Sequence, residues 1–270
     1  MVRNIHLFVI DPQNDFCIAS GPGGERGALV VAGADADTTR LGAFINKNQK
    51  RLGEIHCTLD SHQYVHIAHP AFWVNSKGIN PNPFTLITDD DVKNGAWRAY
   101  NPKWQGRALA YVETLKKNGR YVLVIWPPHC LIGTWGHSIV PAVANALYAW
   151  EKDTFNRVNF VAKGSNFLTE NYSVLQAEVP DDGDSSTKLN TSLIDMLQEA
   201  DEILITGEAL SHCVNWSITD LANNFGDDNI KKFTLLEDTS SSVTGFEKMG
   251  QEFVKNMTKR GMKTTRSTDW

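Results

Sequence analysis

The chain has 270 residues, of which 41% are hydrophobic and 21% charged, with a net charge of −5 and a sequence pI of about 5.9. Those proportions are ordinary for a globular protein, and the acidic balance excludes binding to nucleic acid through a broadly basic face. No stretch approaches the roughly 20 apolar residues of a membrane span, and the apolar run near Met1 is too short for a signal peptide, so a cytoplasmic chain with no membrane partner is expected.

In chain order, short apolar runs with strand-like length and β-branching fall at residues 6–10, 55–59, 121–126, 158–162, 202–206 and 232–236. Segments of helical spacing lie at 35–52, 105–117, 137–150, 191–200, 212–224 and 246–259. This alternation predicts a three-layer α/β fold, with a doubly wound, mainly parallel sheet of about six strands, in one domain over residues 1–270. Residues 71–103 break the pattern. They carry Gly78, Gly95, Pro81, Pro83 and the acidic run 89–91, and read as an insertion that could cover a site. Residues 180–190 read as a polar surface loop.

The polar residues just beyond the strands are informative, because the carboxyl ends of strands in such a sheet converge on one crevice. Asp11 comes after the first strand, and Asp60 with His62 after the second. His129 comes after the third, Lys163 after the fourth, and Glu208-Ala209-Leu210-Ser211-His212-Cys213 leads out of the fifth into a helix. The four cysteines, Cys17, Cys57, Cys130 and Cys213, form no C-x-x-C pair, which disfavours a zinc knuckle and leaves each as core filler or chemistry.

Cys213 at the start of a helix is placed to favour its thiolate, and the amides of Ala209 and Cys213 to hold an oxyanion. Packing of a small buried residue is an equally good account of Cys213 alone. Asp11 alone could cap a turn, and Lys163 alone could be solvated. Together they supply a nucleophile, a base and a positive charge. Asp60, His62 and His129 suit Zn²⁺, or Fe²⁺ or Mn²⁺, with open positions, and His66 and His69 are spare candidates. His6, His56 and His137 are read as core or loop histidines. Phe16, Trp73 and Trp126 are each core or pocket residues. Phe16 and Trp73 are the better pocket choices, because each sits in a loop beyond a strand. The direction of His212 is open.

The segments IDPQNDF, WPPHCLIGTWG, AKGSNFLTENYS and GEALSHCVNWSITDL, in this order, resemble the motifs of the isochorismatase-like cysteine hydrolases, and of the nicotinamidases among them. The resemblance implies that Cys213 attacks an amide carbonyl, that Asp11 relays the protons and that Lys163 sits beside both. It implies that Asp60, His62 and His129 hold a divalent metal, that the Glu208–Ala209 peptide is cis, and that the chain is a homo-oligomer acting on a small amide. The sequence departs from the family in Leu210-Ser211-His212, in the loop after His62, in the insertion 71–103 and in its length. Two alternatives stand beside a nicotinamidase-like amidohydrolase: a metal-free isochorismatase-like or other small-amide hydrolase, and a binding relative without catalysis.

Overall fold

The computed structural model describes residues 3–21, 23–119 and 121–270. Its centre is a six-stranded, wholly parallel sheet built from β1 (Ile5–Ile10), β2 (Glu54–Asp60), β3 (Asn159–Lys163), β4 (Glu202–Gly207), β5 (Phe233–Leu236) and β6 (Lys263–Thr265). The strand order is β6-β5-β4-β1-β2-β3, so the chain leaves β1 in one direction and later returns to its other side at β4. That reversal opens a crevice between the carboxyl ends of β1 and β4.

Alternation along the central strands explains the two helical layers. Ile5, Leu7 and Val9 of β1 and Leu204 of β4 pack into one hydrophobic cluster. Phe8, Ile10, Ile203 and Ile205 pack into the other. The first cluster is closed by α1 (Ala34–Asn48), α2 (Gln105–Asn118) and α3 (Pro141–Thr154), through residues such as Leu41, Tyr111 and Trp150. The second is closed by α4 (Thr191–Gln198), α5 (Asn215–Phe225) and α6 (Glu247–Lys259), through Leu197, Ile218 and Phe253. No helix among the described residues is long and apolar enough to cross a membrane.

Two expectations about strands are corrected. Within the run 121–126, Leu123–Trp126 are buried, but the run does not join the central sheet. Leu123–Val124 pairs antiparallel with Leu86–Ile87, and the amides of Ile125 and Trp126 donate to the carbonyls of Thr85 and Ala68 at 2.9 and 2.7 Å. The run is apolar because residues 68–87 cover it, and apolarity alone does not say which backbone a buried run pairs with. The sixth strand is instead Lys263–Thr265, a polar edge strand beside β5, whose composition carries no hydrophobic signal.

Residues 71–103 have their own small architecture. Trp73–Val74 pairs antiparallel with Arg98–Ala99. The short helix Asp89–Lys93 starts on a reciprocal cap between Thr88 and Asp91. By pairing with 123–126, the segment around Leu86 anchors the approach to Pro127-Pro128-His129.

Candidate active site

The site lies where β1 and β4 end. Gly207 has φ of 112°, and a Cβ there would fall 2.0 Å from the Ile10 carbonyl oxygen. Only glycine lets the two strand ends approach this closely. The turn after Gly207 folds back over β1: the Glu208 amide donates to the Ile10 carbonyl at 2.8 Å, and the Glu208–Ala209 peptide is cis. Residues Leu210–Val214 then form one wide π-helical turn before α5, so Cys213 sits inside that turn rather than at a regular helix start.

Lys163, at the end of β3, organises the centre. Its Nζ donates to Asp60 Oδ1 at 2.9 Å and to the Asn171 carbonyl at 2.8 Å. It lies 3.0 Å from Asp11 Oδ2 and 3.5 Å from Cys213 Sγ. Asp11, with φ of 45°, is turned inward by a strained backbone, and Thr58 Oγ1 donates to its Oδ1 at 2.5 Å. Asp11, Lys163 and Cys213 are all buried. Burial raises the pKa of Asp11, as does Asp60, while Lys163 pulls it down; the net direction is upward. Burial also pushes the Cys213 thiol well above its usual range, with Lys163 opposing and the negative charge of Asp11 adding to the rise. The expected regular helix start is therefore replaced by a π-helical turn, in which burial disfavours the thiolate and Lys163 favours it.

Asp60 links this centre to a second cluster. Its Oδ2 lies 3.0 Å from His62 Nε2 and 3.3 Å from His129 Nε2. The other ring nitrogens face backbone carbonyls, His62 Nδ1 at 3.2 Å from Gly164 and His129 Nδ1 at 2.8 Å from Pro127. A carbonyl only accepts, so each Nδ1 carries a proton; Nε2 of each ring then donates to Asp60 when the ring is protonated and offers a lone pair to a cation when it is neutral. Three acceptors thus converge on one point, which suits a divalent cation. Gly164 keeps the space open, since a Cβ there would stand 2.9 Å from the His62 ring. Burial opposes the charged form of Asp60, but His62 and Lys163 hold its pKa well below the carboxylate range.

His66 and His69, the spare candidates, differ. His66 accepts from the Ala68 amide at 3.2 Å and faces the Thr169 carbonyl at 3.0 Å, so both its nitrogens are used. His69 Nδ1 faces the Tyr64 carbonyl at 3.3 Å, and its Nε2 is buried without a partner.

A narrow cavity, about 370 Å³ of empty space including its mouth, opens above Cys213. Phe16, Trp126, His129, Tyr172, His212 and Ala209 are among its walls. Phe16 lines it as expected, but Trp73 does not. The Trp73 indole is fully buried and donates to the Ile67 carbonyl at 2.6 Å, so it is core of the insertion rather than pocket wall. Trp126 takes the wall position instead, its Nε1 donating to Tyr172 at 2.9 Å. His212 points into the aromatic group formed by Trp126, Tyr172 and Phe246. Glu170 is a cavity residue that the sequence does not single out. Its Oε1 lies 3.9 Å from His62 Nε2, and its one signal in the sequence is to be an acidic residue seven positions after Lys163.

Known structures share this arrangement of strands and helices. A nicotinamidase/pyrazinamidase from Acinetobacter baumanii matches with a TM-score of 0.64 at 22% identity, over 99% of this chain and 98% of that one. A pyrazinamidase from Pyrococcus horikoshii, solved in complex with zinc, matches with a TM-score of 0.56 at 18% identity, over 97% and 99%. An isochorismatase-like hydrolase from Alkaliphilus metalliredigens matches with a TM-score of 0.53 at 16% identity, over 98% and 96%. The chain has the isochorismatase-like hydrolase fold. No protein-family model and no curated protein sequence matches it. At these identities the likeness establishes the fold, and the chemistry has to be argued from the residues.

Proposed function

We propose that the chain is a single-domain cysteine amidohydrolase of the nicotinamidase type, acting on a small, flat carboxamide. The observation that carries this reading is the placement of Lys163 Nζ, 3.0 Å from Asp11 and 3.5 Å from Cys213, a residue that lines an aromatic cavity. The names of the similar structures, nicotinamidases and pyrazinamidases, agree with it.

In this reading the substrate carboxamide lies over Cys213, with its ring between Phe16 and Trp126. Asp11 takes the Cys213 proton as sulfur attacks the carbonyl carbon. The amides of Ala209 and Cys213 hold the oxyanion as it forms. Asp11 then gives the proton to the departing nitrogen, so ammonia leaves and a thioester remains. A water molecule, deprotonated by Asp11, attacks the thioester carbonyl. The acid leaves and the proton returns to sulfur. Lys163 stays charged throughout and keeps the paired carboxylates of Asp11 and Asp60 compatible in a buried site.

Asp60, His62 and His129 would hold a divalent metal, Zn²⁺ by their donor types, beside the cavity. When bound, such an ion supplies a Lewis acid that fixes a lone pair of the substrate ring. The Pyrococcus pyrazinamidase solved with zinc agrees with that assignment.

Ammonia release from nicotinamide and pyrazinamide, measured on zinc-loaded protein beside its Cys213→Ala variant, tests the proposal. Turnover that vanishes in the variant is expected. Turnover that survives in Cys213→Ala would refute the nucleophile. A reactive thiol with no turnover of either ring would confine the error to the substrate.

A further inference from the structure

The opposite end of the same strands holds a second group of metal-ligating side chains that the proposed reaction does not use. His6 of β1 pairs in register with Glu54 of β2, and His56 lies two residues further along β2, beside Asn159 of β3. Because side chains alternate across a sheet, His6, Glu54 and His56 share one face. His56 Nε2 lies 3.1 Å from His6 Nδ1 and 3.5 Å from Glu54 Oε2. Both histidines are fully buried, whereas the Glu54 side chain is 47% exposed. Glu54 and Asn159 also line a broad open cleft of about 1050 Å³ together with Arg157, so solvent and solutes reach the group from that side.

We propose that His6, His56 and Glu54 form a second divalent-cation site, for a borderline ion such as Zn²⁺, at the end of the sheet remote from Cys213. Two observations support it. First, ligands about 2.1 Å from a tetrahedral ion stand about 3.4 Å from one another, and the separations here, 3.1 and 3.5 Å, straddle that value. They also resemble the 3.0 and 3.3 Å separations around Asp60. Second, the side-chain amide of Asn159 meets His56 Nδ1 at 3.1 Å through its Nδ2. An amide can turn either end toward a ring nitrogen. With Oδ1 facing the ring, the proton stays on Nδ1 and the Nε2 lone pair is offered to the gap between His6 and Glu54, as a ligating imidazole requires.

The charges around the group favour a cation on balance. Glu199 acts on both His6 and Glu54 as a second negative charge, and Lys232 is the opposing positive one. Glu54 and a water from the cleft would complete the coordination, which makes the site exchangeable.

Untagged full-length protein, stripped with a chelator and titrated with Co²⁺, tests this through bound ions per chain and the visible ligand-field band. The proposal expects two ions in the unaltered chain. In Glu54→Gln, one ion is lost or bound at least tenfold more weakly, and in His129→Ala the other is lost. Glu54 is half-exposed, so Glu54→Gln is expected to fold, and its melting curve in the absence of metal checks that. A single ion that persists in Glu54→Gln and disappears in His129→Ala overturns the second site. A single ion that disappears in Glu54→Gln and persists in His129→Ala upholds it and refutes the metal reading at Asp60 instead.

Discussion

The two ends of β1 and β2 carry nearly the same ligand set and differ in what stands beside it. At the carboxyl ends, Asp60, His62 and His129 adjoin Lys163, Asp11 and a buried thiol beneath an aromatic cavity. At the amino ends, His6, His56 and Glu54 adjoin a wide open cleft, with no nucleophile among the residues lining it. The difference teaches that two imidazoles and a carboxylate specify at most a place for a cation. Chemistry requires a dry pocket, a nucleophile and a proton acceptor within reach of it. The reversal of strand order between β1 and β4 creates such a pocket at one end only.

The sharpest way to break this contrast is to remove the nucleophile. Cys213→Ala is expected to lower kcat/KM by about 10⁴-fold or more, since the remaining groups only position the substrate. Glu54→Gln is expected to leave kcat/KM within about twofold. A large loss in Glu54→Gln, measured by ammonia release, would mean that the two ends are coupled. Next in size is Lys163→Met, which leaves the carboxylates of Asp11 and Asp60 buried without their shared cation. Removing one partner of a buried charge group costs about 3–5 kcal/mol, and urea unfolding would read that loss alongside the loss of turnover. An unchanged midpoint would mean that water enters the site and screens the pair.

His212 gives a smaller, pH-dependent effect. The Val243 amide donates to Ser211 Oγ at 3.1 Å, which leaves the Ser211 hydroxyl proton for His212 Nδ1 at 2.9 Å. Burial among Trp126, Tyr172 and Phe246 pushes its pKa down to about 4, against about 6.5 in an unfolded chain. As pH falls, the unfolded chain takes up this proton first. The stabilisation from a neutral His212 is therefore complete above about pH 6.5 and is lost as pH falls toward 4, an amount on the order of 3 kcal/mol. His212→Phe cannot titrate, so the stability difference between it and the unaltered chain should change by that order across this window. A difference independent of pH would mean that the ring is hydrated.

How much of this was legible in the sequence depended on the kind of signal. Parallel strands announce themselves as apolar runs, so β1 to β5 were readable, and the polar residues after the first four marked the crevice. Lys263–Thr265 was not readable, because an edge strand needs only a free backbone edge to pair with, and its three residues are polar. Residues 121–126 misled for the opposite reason: Leu123–Trp126 are buried where they pair with residues 68 and 85–87 rather than by the sheet. The exchange of Trp73 for Trp126 at the cavity has the same origin. Both indoles are buried donors with a partner, and only the path of the insertion decides which one faces the pocket. The six residues around Lys163 and Asp60 were legible as strand-end chemistry. Their distances depend on a strained Asp11 and a glycine-tight crossing at Gly207, which no periodicity encodes. The pair His6 and His56 read as core, because two histidines fifty positions apart reveal their adjacency only once β1 and β2 are in register.

The smallest expected effect concerns Glu170, the cavity residue with the least sequence signal, and it sharpens the comparison most finely. Its Oε1 accepts from the Asn171 amide at 2.8 Å and lies 3.9 Å from His62 Nε2, while its Oε2 is buried without a partner. A carboxylate at that distance is too far to hold His62 directly, but it adds negative charge to the Asp60 cluster, as Glu199 does for His6 at the other end. Glu170→Gln keeps the shape and the acceptor for Asn171 while removing the charge. Outer groups of this kind contribute about 10- to 100-fold to metal affinity, so Glu170→Gln is expected to weaken Co²⁺ binding at Asp60, His62 and His129 by about tenfold. Binding at His6, His56 and Glu54 should not move. Equal weakening at both ends would show a long-range effect of net charge, and no weakening at either would limit Glu170 to shaping the cavity wall.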